Sequence, residues 1–181
     1  MLSNKSVVNN KKKILVNAEK ATGMYGENGS EILNDNNAEI EITAAGKSGT
    51  GIYATGSNTT GTNNGKITIN GEKGTGMFAN AQAAITNNSE IIGNVKSVIG
   101  MYSSDNGTTV KNATGGKIEL SGEKSEAIAA KNGWLIETQG VDKNTVSSLT
   151  ATIKDKASIY GMVNKDFGRG FDAKLDMNFE T

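Results

Sequence analysis

One short motif returns along the chain at nearly constant spacing, and it limits the fold more than any other feature. Gly23-Met24-Tyr25, Gly51-Ile52-Tyr53, Gly76-Met77-Phe78 and Gly100-Met101-Tyr102 follow one another at 28, 25 and 24 residues, and a worn copy, Ala127-Ile128-Ala129, comes 27 later. A period of this size is the mark of a repeat architecture. Ahead of the copies lie short apolar alternations: Ile14-Leu15-Val16, Ile40-Glu41-Ile42, Ile67-Thr68-Ile69, Ile91-Ile92-Gly93 and Ile118-Glu119-Leu120. Behind most comes a third apolar position, Ile32, Ile85, Val110 or Ile136, while the matching stretch of the second repeat, Ser57–Thr62, is polar throughout. Each unit therefore carries three brief segments of period 2 between Gly, Asn, Ser and Thr turns, and none offers an 11-residue stretch of helical period.

Three short strands cannot bury a face alone, but stacked coils can. Equivalent strands then lie about 4.8 Å apart and their inward residues form continuous ladders. The pattern predicts an all-β, right-handed parallel β-helix of about five coils of about 26 residues, with a less regular C-terminal segment. The expected organisation is a lead-in over 1–9, the repeats over 10–140, and irregular terminal coils or a cap over 141–181. Beyond Gly140 the alternations are Leu149, Ala151 and Ile153, then Ile159, Gly161 and Val163, then Phe171 to Phe179. A narrow interior accounts for an apolar content of only 35% with 23 Gly.

The residue before each leading Ile points outward, and these read Lys13, Glu39, Lys66, Glu90 and Lys117, alternating in sign through five coils. Opposite charges across a ladder favour this register, and a slip of one coil would oppose like charges. Asn10, Asn36, Asn63 and Asn87, each four residues before an Ile, are expected to stack as an amide ladder. In the motif strand Met24, Ile52, Met77, Met101 and Ile128 are expected inside with Gly26, Ala54, Ala79, Ser103 and Ala130. Tyr25, Tyr53, Phe78 and Tyr102 are then an outer aromatic row, with the neighbouring glycines leaving room for the rings.

Composition closes most catalytic routes. With no Cys and no His there is no thiol nucleophile, no imidazole base, no disulfide and no zinc site of the usual kind. Nineteen basic residues balance nineteen acidic ones, which leaves no electrostatic case for nucleic acid. Gly49-x-Gly51-x-x-Ala54 and Gly74-x-Gly76-x-x-Ala79 match a dinucleotide-binding pattern, but they recur with the repeat and no helix follows. Paired carboxylates for glycan chemistry are missing too, since Glu41 and Glu119 stand three coils apart with Thr68 and Ile92 between. No catalytic residue, cofactor or metal ligand is expected.

Two rows remain as partner-binding candidates: the aromatics Tyr25, Tyr53, Phe78 and Tyr102, and a stripe of turn lysines, Lys20, Lys47, Lys73, Lys96 and Lys124. Glu19, Glu72 and Glu123 relieve three of these lysines. Both rows also have a structural reading, as an aromatic ladder and a solvated turn.

The unit Asn64-Gly-Lys-Ile-Thr-Ile-Asn-Gly-Glu-Lys-Gly-Thr-Gly-Met-Phe-Ala79 resembles the passenger repeats of bacterial autotransporter (type V secreted) adhesins, and the likeness covers residues 10–140. Ser148 to Gly161 is similar to the later, pertactin-like part of such passengers. The resemblance implies a non-enzymatic segment at the cell surface, secreted and held at the outer membrane through a β-barrel translocator on a longer parent chain. It implies a role in adhesion or as a stalk, with a host or bacterial surface protein or glycan as partner. Residues 1–20 contain no apolar signal-peptide core, and no run of 18 apolar residues offers membrane insertion, so the chain is expected to be a fragment or module of that longer protein. The alternative is a degenerate polysaccharide lyase or hydrolase β-helix acting on a glycan.

Overall fold

The computed structural model describes residues 1–130 apart from Asn106 and Thr114, together with the backbone of 134–138 and 149–153. Coil 1 holds β1 (Leu2–Asn4), β2 (Val7–Asn10) and β3 (Lys13–Val16), and coil 2 holds β4 (Thr22–Glu27), β5 (Glu31–Asn34) and β6 (Glu39–Ile42). Coil 3 holds β7 (Thr50–Thr55), β8 (Thr60–Asn63) and β9 (Lys66–Ile69), and coil 4 holds β10 (Thr75–Asn80), β11 (Ala84–Asn87) and β12 (Glu90–Gly93). Coil 5 holds β13 (Ile99–Ser103), β14 (Thr109–Asn112) and β15 (Lys117–Leu120), and β16 (Glu126–Ala130) begins the next turn. Each strand pairs in parallel with its equivalent one coil away, giving three sheets: β1-β4-β7-β10-β13-β16, β2-β5-β8-β11-β14 and β3-β6-β9-β12-β15. The chain is a right-handed parallel β-helix of about five turns, with no helix among the described residues. Residues 1–9, expected as a lead-in, carry β1 and most of β2, which already belong to the sheets.

The core is a set of stacked columns. In the first sheet Met24, Ile52, Met77, Met101 and Ile128 lie in register and are fully buried. In the third, Ile40, Ile67, Ile91 and Ile118 do the same. Each such side chain contributes roughly 1.5–3 kcal/mol on burial. The polar segment of coil 3 does form its strand: β8 lies between β5 and β11, and Gly61 occupies the core column between Ile32 and Ile85. A methyl group on Gly61 would meet Ile52 and Ile85 side-chain carbons at 3.0 and 3.2 Å, so those isoleucines already fill the space.

The asparagine ladder exists, but one member differs from expectation and it gains a fifth. Asn10, Asn34, Asn63, Asn87 and Asn112 align, and each Nδ2 donates to the next Oδ1 at 2.8, 2.7, 2.8 and 2.7 Å. They are buried, so the ladder is a polar seam of the interior; Asn36 stands outside, exposed to solvent. The reason is turn length. Coils 1, 3 and 4 run three residues from this asparagine to the next strand, at Lys13, Lys66 and Glu90, whereas coils 2 and 5 run five, to Glu39 and Lys117. The two extra residues in coil 2 build the turn Asp35–Ala38, closed by the Ala38 amide on the Asp35 carbonyl at 3.0 Å.

Contrary to the expectation from the sequence, the motif glycines do not make room for the rings. A Cβ on Gly51 would lie 2.6 Å from the Gly76 carbonyl oxygen and 3.3 Å from the Ile67 Cγ2, so the glycine lets adjacent coils approach at a buried bend. Beyond coil 5 the regular stacking changes. Ile136 was expected over Val110, but β18 (Leu149–Ile153) intervenes. It runs antiparallel to β14 and to β17 (Trp134–Thr138), so Ala151 is opposite both Val110 and Ile136. The alternations at 159–163 and 171–179 lie outside the described residues.

Candidate binding surface

The outer face of the first sheet carries the aromatic row. Tyr25, Tyr53, Phe78 and Tyr102 are in register on β4, β7, β10 and β13, half-buried and pointing outward while the Met and Ile before them fill the core. Strand alternation fixes this orientation. Ring centroids are 5.2, 4.7 and 5.2 Å apart, with interplanar angles of 85°, 50° and 14°. These separations follow from the coil repeat and suit favourable edge-to-face and stacked pairs. Each ring therefore packs against its neighbour by an edge or a face.

The hydroxyls are tied down locally. Tyr25 Oη donates to Glu27 Oε2 at 2.7 Å, and that carboxylate pushes the phenol up to about 12. Tyr53 Oη accepts from Asn80 Nδ2 at 3.2 Å. Burial first, then the charges of Asp105 and Glu126, push the Tyr102 phenol up. Both shifts move the phenols of Tyr25 and Tyr102 further from ionisation. A second row runs beside them on the same strands: Thr22, Thr50 and Thr75 align in register and, like the aromatics, are half-buried. This row was missed by sequence reasoning although each Thr directly precedes a motif glycine, so the repeat is in fact Thr-Gly-(Met/Ile)-aromatic in coils 2 to 4.

The five-lysine stripe does not form. In each of these turns one residue takes a left-handed conformation two positions before the strand: Lys20, Ser48, Lys73, Ser97 and Lys124, at φ between 57° and 60°. The amides of the first four donate to the carbonyls of Lys47, Glu72, Lys96 and Glu123 in the next coil. Lys47 and Lys96 thus stack in the column of Glu19, Glu72 and Glu123, giving Glu19, Lys47, Glu72, Lys96, Glu123, with Lys96 Nζ 3.5 Å from Glu72 Oε1. Lys20, Lys73 and Lys124 share the other column with Ser48 and Ser97. Like charges in adjacent coils are avoided, because the lysine stands three residues before the motif in coils 2, 4 and 6 and four before it in coils 3 and 5.

The expected alternation on the third sheet does hold in register through Lys13, Glu39, Lys66, Glu90 and Lys117. Lys13 Nζ is 3.1 Å from Glu39 Oε2 and 2.8 Å from Glu41 Oε2, and Lys117 Nζ is 2.7 Å from Glu119 Oε1. The Lys13 hydrogen bond, followed by one from Asn70, holds the Glu41 carboxyl below its ordinary value. Glu41 and Glu119 are three coils apart, about 14 Å along the stack, beyond the roughly 5–9.5 Å used by glycosidase carboxylate pairs.

The family model of the BigA third pectate lyase-like domain matches residues 1–144, which takes in every described coil. No curated protein and no solved structure matches the chain.

Proposed function

The chain belongs to the BigA third pectate lyase-like domain family, and from that premise we propose that it is a non-enzymatic β-helical segment of a surface-exposed, autotransporter-like protein, acting in adhesion or as a stalk. The observation that carries the reading is the use made of the charged side chains. Glu41 and Glu119, the acids weighed for glycan chemistry, are lysine-bound, Glu41 has its carboxyl held below the ordinary range, and two columns of charge alternate in sign from coil to coil. A general acid for glycoside chemistry needs the opposite environment, one that raises its pKa. BigA being an autotransporter-like adhesin supports the adhesive part. The outer face of the first sheet, with its aromatic row and the threonine row beside it, is the contact surface of this proposal, and its partner is a surface protein or glycan. Placement at the outer membrane through a β-barrel elsewhere in a longer chain belongs to the same proposal.

Glycan and surface-protein arrays probed with the full chain and with a Tyr25→Ser, Tyr53→Ser, Phe78→Ser, Tyr102→Ser variant test it. Binding lost in the variant supports the aromatic face, and equal binding removes it from the proposal. The pectate lyase-like description motivates an enzymatic rival. Lyase and reducing-sugar assays on acidic and neutral polysaccharides should show no turnover, and turnover abolished by Glu41→Gln would establish that rival instead.

A further inference from the structure

The unequal turns leave a recess on the opposite part of the surface, between the second and third sheets. The five-residue turn of coil 2 stands beside the three-residue turns of coils 3 and 4, which are two residues shorter. The recessed strip is two coils wide, about 10 Å. Against the coil 2 turn it forms an open depression of about 560 Å³ lined by Asn36, Asn37, Glu39, Asn64, Lys66 and Ser89. That turn is seated by Gly65, where a Cβ would strike the Asp35 and Ala38 carbonyl oxygens, so the turn lies directly on the floor.

We propose that this recess is a binding site for a neutral saccharide. The lining offers three amide side chains and a hydroxyl, groups that donate and accept together and so match vicinal hydroxyls. Asn64 spends its oxygen on Asn88 Nδ2 at 2.8 Å, which leaves its own NH₂ for a ligand. Glu39 and Lys66 contribute one charge of each sign to the lining. Among the described residues Lys66 Nζ has no ion-pair partner, Glu39 being engaged by Lys13 and by Thr68 Oγ1 at 3.2 Å. Lys66 is thus an available donor. Ala38 is the largest apolar side chain in the lining, which excludes an apolar ligand. The site lies away from the aromatic row and goes beyond the adhesive reading of that row.

The test is an amide chemical-shift titration of the isotope-labelled full chain with lactose, cellobiose and chitobiose, and with digalacturonate as the charged probe. A neutral disaccharide should give saturable shifts at Asn36, Asn37, Asn64, Gly65 and Ser89. The Asn36→Ala, Asn64→Ala double variant, with its remaining amide spectrum unchanged, should bind about tenfold more weakly, and Lys111→Ala, at an exposed position of β14 outside both surfaces, should bind as the parent does. Absence of shifts at these amides with all three neutral sugars overturns the site. Tighter binding of digalacturonate there overturns the assignment to neutral ligands. On the arrays, sugar binding at the recess persists in the aromatic variant and is lost in the Asn36→Ala, Asn64→Ala variant, whereas binding by the aromatic face shows the reverse, so the two proposals fail separately.

Discussion

Among single residues, the buried asparagines carry the greatest risk and the greatest specificity. A buried amide is tolerated only when its groups are paired, and here each Nδ2 feeds the next Oδ1 so that one removal leaves two neighbours short. Asn63 also donates to the Glu90 carbonyl at 3.2 Å, which ties the seam to the next strand. Asn63→Ala should therefore lower unfolding free energy in urea by about 2–6 kcal/mol, from two groups at roughly 1–3 kcal/mol each. Asn36→Ala, exposed and outside the seam, should stay within about 0.5 kcal/mol. The identity of the stacking residue was not legible in the local spacing, since Asn34 and Asn36 are both available and only the strand register chooses between them.

At the level of strands and turns, charge acts as a register code. Two columns alternate in sign, one on the third sheet and one in the turns before the first sheet, and each exposed pair contributes little by itself. Their combined effect is to make a one-coil slip unfavourable along the whole stack. The sign of one substitution separates the observed arrangement from a like-charged stripe. Lys47→Glu should destabilise by about 0.5–1.5 kcal/mol, because it places an acid between Glu19 and Glu72. The loss should shrink in 1 M salt, as screening shortens to about 3 Å. A stripe of five lysines would instead be relieved by the same change. Denaturation midpoints of both proteins at low and high salt decide it.

For the whole molecule, coil 1 is the terminal coil of the described stack. Met1, Leu2, Val7 and Leu15 are the exposed large hydrophobics of the described residues, all on coil 1 and 54–75% exposed. β1, β2 and β3 also present the unpaired edges of the three sheets. Lys5, Lys11 and Lys12 stand exposed on this coil, where like charge opposes edge-to-edge pairing with another chain. Replacing all three by Ser should leave the fold intact by circular dichroism and raise concentration-dependent association in sedimentation velocity. Unchanged association would mean that the edge is protected by other means.

The sequence by itself determined the class of fold, the three strands per coil, the inward columns and the outer aromatic row. Side-chain direction alternates along a strand, so a period of two separates core from surface without reference to neighbours. Turn residues carry no such period. Whether Asn34 or Asn36 enters the seam, whether Lys47 stacks with Lys20 or with Glu19, and whether coils 3 and 4 lie in a recess all depend on how many residues each coil spends between strands. The tertiary structure decided these points, because hydrogen-bonded ladders on both sides of a turn hold the strands in register and force coils of unequal length to place the surplus outside.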